Sequence, residues 1–246
     1  PTMLKLITLN VERNRHWDTI LPFLEQEDPD VLCLQELFEP DIEMLEKRFG
    51  YSSYSLKSSY MALDDDPDTL VVETVTVLSK LKMTDKGQGY YHCVSADIPV
   101  YDITRKGETA NLGVAWATIE KDGENYTIAT TQFTWAPNGE SSQEQRDDLG
   151  VLLPLLREHV PEVVLCGDFN VPRGPENDVY QSLIAQYTDN IPPEIKGSID
   201  LDFHRTTRND PSKHDHMGNL MVDYIFSTPE YKVSDVRLQF GVSDHA

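Results

Sequence analysis

Five stretches of this chain place oxygen- and nitrogen-bearing side chains where apolar runs end. LITLNVE ends on Asn10 and Glu12, VLCLQE on Glu36, and VVLCGDFN on Asp168 and Asn170. MVDYIF carries Asp223 inside an apolar run, and LQFGVSDHA ends on Asp244 and His245. One polar residue at a strand end is unremarkable. Five such ends built only from Asn, Asp, Glu and His are harder to read as core architecture, because a buried carboxylate is costly unless paired or coordinated. Gathered at one edge of a sheet, these groups would form a site for a hard divalent cation, with a histidine beside it.

Strands and helices that would carry them can be read from the pattern. MLKLITLNVE reads as a strand ending near Asn10. A helix follows with Trp17, Ile20, Leu21 and Leu24 on one face, its start limited by Pro22, since proline suits a first turn. PDVLCLQE is a second buried strand, and PDIEMLEKRFG a short helix that Pro40 opens and Gly50 stops. Residues 51–69 read as irregular, with ALDDDPD an acidic loop. TLVVETVTVLS is β-branched and reads as a strand, whereas residues 82–110 give no clear order. Two alternating runs around Asp122-Gly123 form a hairpin. SSQEQRDDLGVLLPLLREHV predicts a helix with a Ser141–Glu144 capping box and a stripe of Leu149, Leu152, Leu153 and Leu156. PENDVYQSLIAQY predicts another, with Val179, Leu183 and Tyr187 on one face, and MVDYIFST and the closing stretch read as strands. Elements of both kinds mixed throughout favour one α/β domain.

Composition narrows the function. Forty-two acids against 21 bases give a net charge of −21. That balance argues against a strong duplex-DNA surface, which draws its affinity from many Lys and Arg contacts to phosphate. It leaves a small anionic substrate open, because a bound cation can dominate the local field. No apolar run approaches the roughly 20 residues of a membrane span. The three cysteines are an odd, sparse set without a C-x-x-C pair. Cys33 and Cys166 read as buried thiols, and the set fits a reducing, cytoplasmic setting.

TLNVE, LCLQE, GDFN, VDYIF and GVSDHA, in this order and over nearly the whole chain, resemble the deoxyribonuclease-I-like endonuclease/exonuclease/phosphatase superfamily. The resemblance implies a two-sheet α/β sandwich with helices on the outside, a single domain over residues 1–246, and a further strand that would follow Ala246. It implies a Mg²⁺-dependent, or Mn²⁺-dependent, hydrolase of phosphate esters, acting as a monomer. Carried over position by position, Glu36 matches the main metal carboxylate, and Asn10 a neighbour that helps hold metal or phosphate. Asp168 and Asn170 match the pair that orients water and phosphate. His245 matches the catalytic histidine, Asp223 the carboxylate that orients it, and Asp244 a metal-side aspartate. Glu12 falls where some members have an acid. Strand alternation would place Asp168 and Asn170 on one face, toward one reactant.

One departure stands out. The family usually has a histidine in the strand after the hairpin, and TTQFTW has Gln132 there. Glutamine donates a hydrogen bond but carries no charge. If it shares a face with Ile128 and Thr130, it should reach a phosphate oxygen. Gln132 leaves one alternative open, a catalytically impaired phosphoester-binding module; the acidic surface suggests another, an interaction protein, against which the intact set of Glu36, Asp168, Asn170, Asp223 and His245 argues. The substrate class stays open among a nucleic-acid end, a nucleotide, a phospholipid headgroup and a small phosphoester. Arg13, Arg15, Arg105, Arg205 and Arg208 are candidates for phosphate contacts. His214 and His216 in KHDHMG read as a solvated loop.

Overall fold

A computed structural model describes residues 3–246. Ten strands form two sheets. The first contains β1 (Leu6–Asn10), β2 (Val31–Phe38), β3 (Ser52–Ala62) and β4 (Leu70–Ser79), in the order β1-β2-β4-β3. The second contains β5 (Lys82–His92), β6 (Leu112–Lys121), β7 (Glu124–Gln132), β8 (Val164–Asp168), β9 (Thr188–Asp189) and β10 (Asp223–Ser227), in the order β5-β6-β7-β8-β10-β9. Pairing is mixed: β1–β2 and β7–β8 run parallel, the other pairs antiparallel. The expected two-sheet sandwich is present.

Alternation sorts the apolar residues into three layers. Val31, Cys33, Val77, Ala117, Ile119, Ile128, Val164 and Cys166 fill the space between the sheets. The intervening residues on the same strands, Leu32, Leu34 and Leu165, face outward into helices. Successive side chains on a strand point to opposite faces, so strands covered on both sides read as unbroken apolar runs. α1 (Trp17–Glu27) and α2 (Glu39–Phe49) cover the first sheet through Ile20, Leu24, Ile42 and Leu45. α3 (Gln143–His159) and α4 (Asp178–Ile184) cover the second through Leu149, Leu152, Leu156, Val179 and Leu183. α5 (Arg205–Asn209) and α6 (His214–Met217) are short helices in the loop before β10. No helix among the described residues is long and apolar enough to cross a membrane.

Several local expectations need correction. Pro22 lies inside α1, not in its first turn. The helix starts earlier because the Thr19 and Ile20 amides bond to the His16 carbonyl, and burial of Ile20 and Leu24 outweighs the lost backbone bond. The capping box of α3 is Ser142–Gln145, one residue later than read. Gln145 is preferred there because its amide also donates to the carbonyls of Thr134 (2.7 Å) and Asn170 (3.1 Å), which a glutamate could not do. α4 stops at Ile184, so Tyr187 lies beyond it. Residues 52–62 are not irregular but form β3, and residues 82–92 form β5. Both are edge strands with bulges, and a half-exposed edge needs no apolar alternation. Residues 233–243 form no strand. Instead, Ile199 bridges to His245, and the Asp200 amide bonds to the Asp244 carbonyl at 2.9 Å.

Candidate active site

The tips of β1, β2, β7, β8 and β10 converge with residues 243–245. On β1 the inward face runs Leu6, Thr8, Asn10, and on β7 it runs Ile128, Thr130, Gln132. Asn10 donates to Glu36 Oε1 (3.1 Å) and to Asp168 Oδ2 (3.2 Å), joining residues 158 positions apart. Gln132 Nε2 donates to the same Glu36 oxygen at 2.6 Å. Asp168 stands opposite Gln132 across the β7–β8 ladder and opposite Asp223 across the β10–β8 ladder. His245 Nδ1 bonds Asp223 Oδ2 at 2.8 Å. Ser243 Oγ donates to the Asn10 carbonyl at 2.8 Å, fastening the 243–245 segment to β1.

Glu36 reaches this cluster against its strand parity. Leu32 and Leu34 face the helices, and strict alternation would send Glu36 the same way. The register slips between Leu34 and Leu37, and Glu36 takes a left-handed φ of 54°. A bulge re-aims a side chain, and here it turns a helix-facing carboxylate into the cleft. Gly167 has a related role. Its φ is 136°, and a Cβ there would meet the Thr131 carbonyl oxygen at 2.0 Å. Only glycine lets β8 approach β7 closely enough to set Asp168 beside Gln132.

Asn170 departs from the alternation expected of it. β8 ends at Asp168, and Asn170 lies past the end with φ 51°. Its amide N–H bonds back to Asp168 Oδ1 (2.9 Å) and its side-chain Nδ2 donates to the Phe133 carbonyl (2.9 Å). This is an Asx-type turn, which fixes the Asp168 carboxylate. Glu12, also at positive φ (45°), is held by Arg15 and by His16 Nε2 at 2.8 Å.

The charge balance is unusual. Asn10, Glu12, Asp168, Asp223, Asp244 and His245 are all at least nine-tenths buried. Burial is the main force pushing Asp168 up to about 7, reinforced by Asp223 and Glu36 and opposed by His245. Asp244 is likewise pushed up to about 7 by burial, then by Glu12 and Glu36. His245 is held well above the usual histidine range: burial opposes its charge, but Asp223, Asp244 and Asp168 outweigh it. Acidic groups therefore outnumber basic ones among these buried residues. Glu12, His16 and Asp244, and separately Asp168, Asp223 and His245, are close enough to share a metal ion. Carboxylate and amide oxygens are the donors Mg²⁺ and Mn²⁺ favour, so the residues fit such an ion.

Three residues of the site gave no sequence signal. Ser198 donates to Asp223 Oδ2 (2.5 Å) and accepts the Val222 and Asp223 amides. Asp200 holds the Gly241 amide at 2.6 Å and, with its carbonyl, the His204 amide. His16 supports Glu12. All three lie in loops without periodicity. Among the arginines, Arg15 pairs with Glu12 and Asp64, Arg105 with Glu108, and Arg205 and Arg208 are exposed. His214 bonds the Thr207 carbonyl, and neither it nor His216 belongs to a metal-capable group among the described residues. A mostly apolar cavity of about 920 Å³ lies beside β1 and reaches the cluster at Asp223.

Solved structures share this architecture. A Beutenbergia cavernae endonuclease/exonuclease/phosphatase aligns with a TM-score of 0.69 at 18% identity, covering 98% of this chain and 69% of that one. The Bacteroides thetaiotaomicron mannosyl-6-phosphatase gives 0.65 at 16% identity, with 99% and 97% covered. A 3′ phosphatase from Neisseria, bound to a product DNA hairpin, gives 0.62 at 18% identity, with 99% and 96% covered. A search of the curated proteins returned no match. The family model described as Endonuclease/Exonuclease/phosphatase family matches residues 7–245, from the start of β1 to the histidine of the cluster. The chain belongs to the endonuclease/exonuclease/phosphatase family, whose members hydrolyse phosphoesters.

Proposed function

We propose that this protein hydrolyses phosphate esters with Mg²⁺ or Mn²⁺, using the strand-tip cluster as its active site. The observation that carries the reading is the excess of buried carboxylate around one protonated histidine. Glu36 and Asp244 would hold the cation, with Asn10 beside them offering the remaining lone pair of an amide oxygen that already accepts the Glu12 amide at 3.0 Å. When bound, the ion would neutralise charge on the phosphate and on the leaving oxygen.

The chain's own groups supply the rest. Asp168, poised at about 7, suits a base that accepts a proton from the attacking water near neutral pH. Asn170 and Asn10 fix the two oxygens of that carboxylate. His245 is charged, with Nδ1 committed to Asp223 and Nε2 left to donate to a phosphate oxygen as negative charge develops there. Asp223, braced by Ser198, keeps that imidazolium oriented. Gln132 holds Glu36 through its amide and supplies a neutral donor at the cleft.

A non-catalytic binding module gains no support from this geometry, since each of these groups is retained and oriented. Substrate remains among phosphoesters. The mannosyl-6-phosphatase and 3′ phosphatase likenesses support a terminal phosphate, and free Cys33, Cys93 and Cys166 support a reducing, cytoplasmic setting. The test is a panel of phosphomonoesters and phosphodiesters assayed with Mg²⁺, with Mn²⁺ and with chelator. Cation-dependent release of phosphate or of the leaving alcohol is expected, and full turnover in excess chelator would overturn the reading.

A further inference from the structure

The scheme above leaves Arg13 unused. Arg13 follows β1 in a left-handed conformation, φ 66°, and its amide bonds to the Glu36 carbonyl at 3.0 Å. That bond brings its side chain to the bulge that aims Glu36. Arg13 Nε donates to Glu73 Oε2 at 3.0 Å. Glu73 lies on β4 opposite Phe38 of β2 and is buried. Among the described residues nothing accepts from Arg13 Nη1 or Nη2. The guanidinium stands close enough to Glu36 and Tyr101 to feel both, and its side chain is 22% exposed.

The arrangement is a fork with one arm fixed and two open. A closed structural ion pair would engage Nε and the neighbouring Nη on the two Glu73 oxygens, since bidentate pairing is the stronger geometry. Here Glu73 takes only Nε, and both Nη groups are left open among the described residues. Among the described residues Glu73 has no second cation beside it. Burial and the Glu36 charge push it up to about 7, with Arg13 pulling the other way. Glu73 thus sits as a buried bracket, and the charge it steadies stands near Glu36.

We propose that Arg13, steadied by Glu73, grips a non-bridging phosphate oxygen with its two free Nη groups and selects a terminal, doubly charged phosphate over a diester. This rests on the function proposed above. A monoester carries a third non-bridging oxygen and, with a second ionisation near about 6, close to one more negative charge at neutral pH. A planar guanidinium recognises such a group at two points; a lysine ammonium acts only as a point charge.

The experiment measures kcat/KM on p-nitrophenyl phosphate and on bis(p-nitrophenyl) phosphate with saturating Mn²⁺. The wild-type chain should favour the monoester. Arg13→Gln should lose about 100-fold on the monoester and about threefold on the diester, with Arg13→Lys in between. Arg13→Gln combined with Glu73→Gln removes both charges, so it controls for a destabilised single variant. It should melt like the wild type and still show the monoester loss. Equal losses on both esters, or recovery of monoester activity in the double variant, would overturn the proposal. Should the wild type cleave neither ester, the proposed function fails, and calorimetric titration with inorganic phosphate decides the role of Arg13. Binding about tenfold weaker in the double variant supports it; equal binding rejects it.

Discussion

Two histidine–carboxylate pairs in this molecule are nearly alike up close. His245 bonds Asp223 at 2.8 Å, and Asp223 accepts a hydroxyl from Ser198 at 2.5 Å. His92, at the end of β5, bonds Asp148 of α3 at 3.1 Å, and Asp148 accepts a hydroxyl from Thr134 at 2.5 Å. Their surroundings differ. His92 also has Glu144 nearby, at 3.8 Å and partly exposed. His245 has Asp168 and Asp244 pressing on it in a closed cleft, with Glu36 and Glu12 behind them. The first pair docks a helix on an edge strand. The second sits where buried negative charge exceeds what the protein neutralises. The hydrogen-bonded pair alone therefore does not distinguish the two clusters; the buried carboxylates around it do.

Replacement breaks or sustains that contrast most directly. His245→Ala and Glu36→Gln should each lower kcat by about 1,000-fold while the fold persists. His92→Ala should leave kcat unchanged and cost about 1 kcal/mol of stability through its lost bond. Steady-state kinetics beside urea denaturation reads both. Inactivation by His92→Ala would erase the distinction between the two clusters.

Cation and pH sharpen it next. Asp168 and Asp244 have ordinary values of 3.8 when unfolded and about 7 when folded. Their protonated forms stabilise the fold; that contribution is complete below about 4 and is lost as pH rises to about 7. His245, raised in the folded state, acts in the same direction. In chelator the melting temperature should therefore fall from pH 5 to pH 8, after allowance for other groups by comparison with Asp168→Asn. Mg²⁺ at a hundredfold excess over its dissociation constant should restore about 2.7 kcal/mol at pH 8. Glu36→Gln should abolish that gain and Asp148→Asn should keep it. A cation effect lost with Asp148 instead would move the metal to the wrong cluster.

The smallest effect concerns Gln132, whose amide is engaged on Glu36 in place of reaching outward. An imidazolium there would add a charged donor at the transition state, worth about 1.4 kcal/mol, so Gln132→His should raise kcat by about tenfold with little change in KM. Equal or lower turnover would show that holding Glu36 is the native task of Gln132.

The residues by themselves determined the kinds of strand and the chemistry at their ends. Apolar runs such as VVLCGD, covered on both faces, encode buried strands by composition alone, and the ordered motifs from Asn10 to His245 name the family. Edge strands β3 and β5 escaped because one face meets solvent and imposes no apolar period. The capping register of α3 escaped because Ser141 and Ser142 offer the same hydroxyl, and only the carbonyls waiting at Thr134 and Asn170 distinguish Gln145 from Glu144. Glu36 shows the limit most plainly. Its parity assigns it to the helix face, and no local propensity asks for φ 54° there. The closure of one sheet on the other, which brings Gln132 to a carboxylate already held by Asn10 of the neighbouring strand, keeps that bulge in place. Local sequence encodes periodicity, because side-chain direction follows backbone repeat. It does not encode the exceptions, because a left-handed residue in a strand is stable only when partners from distant strands outweigh its strain.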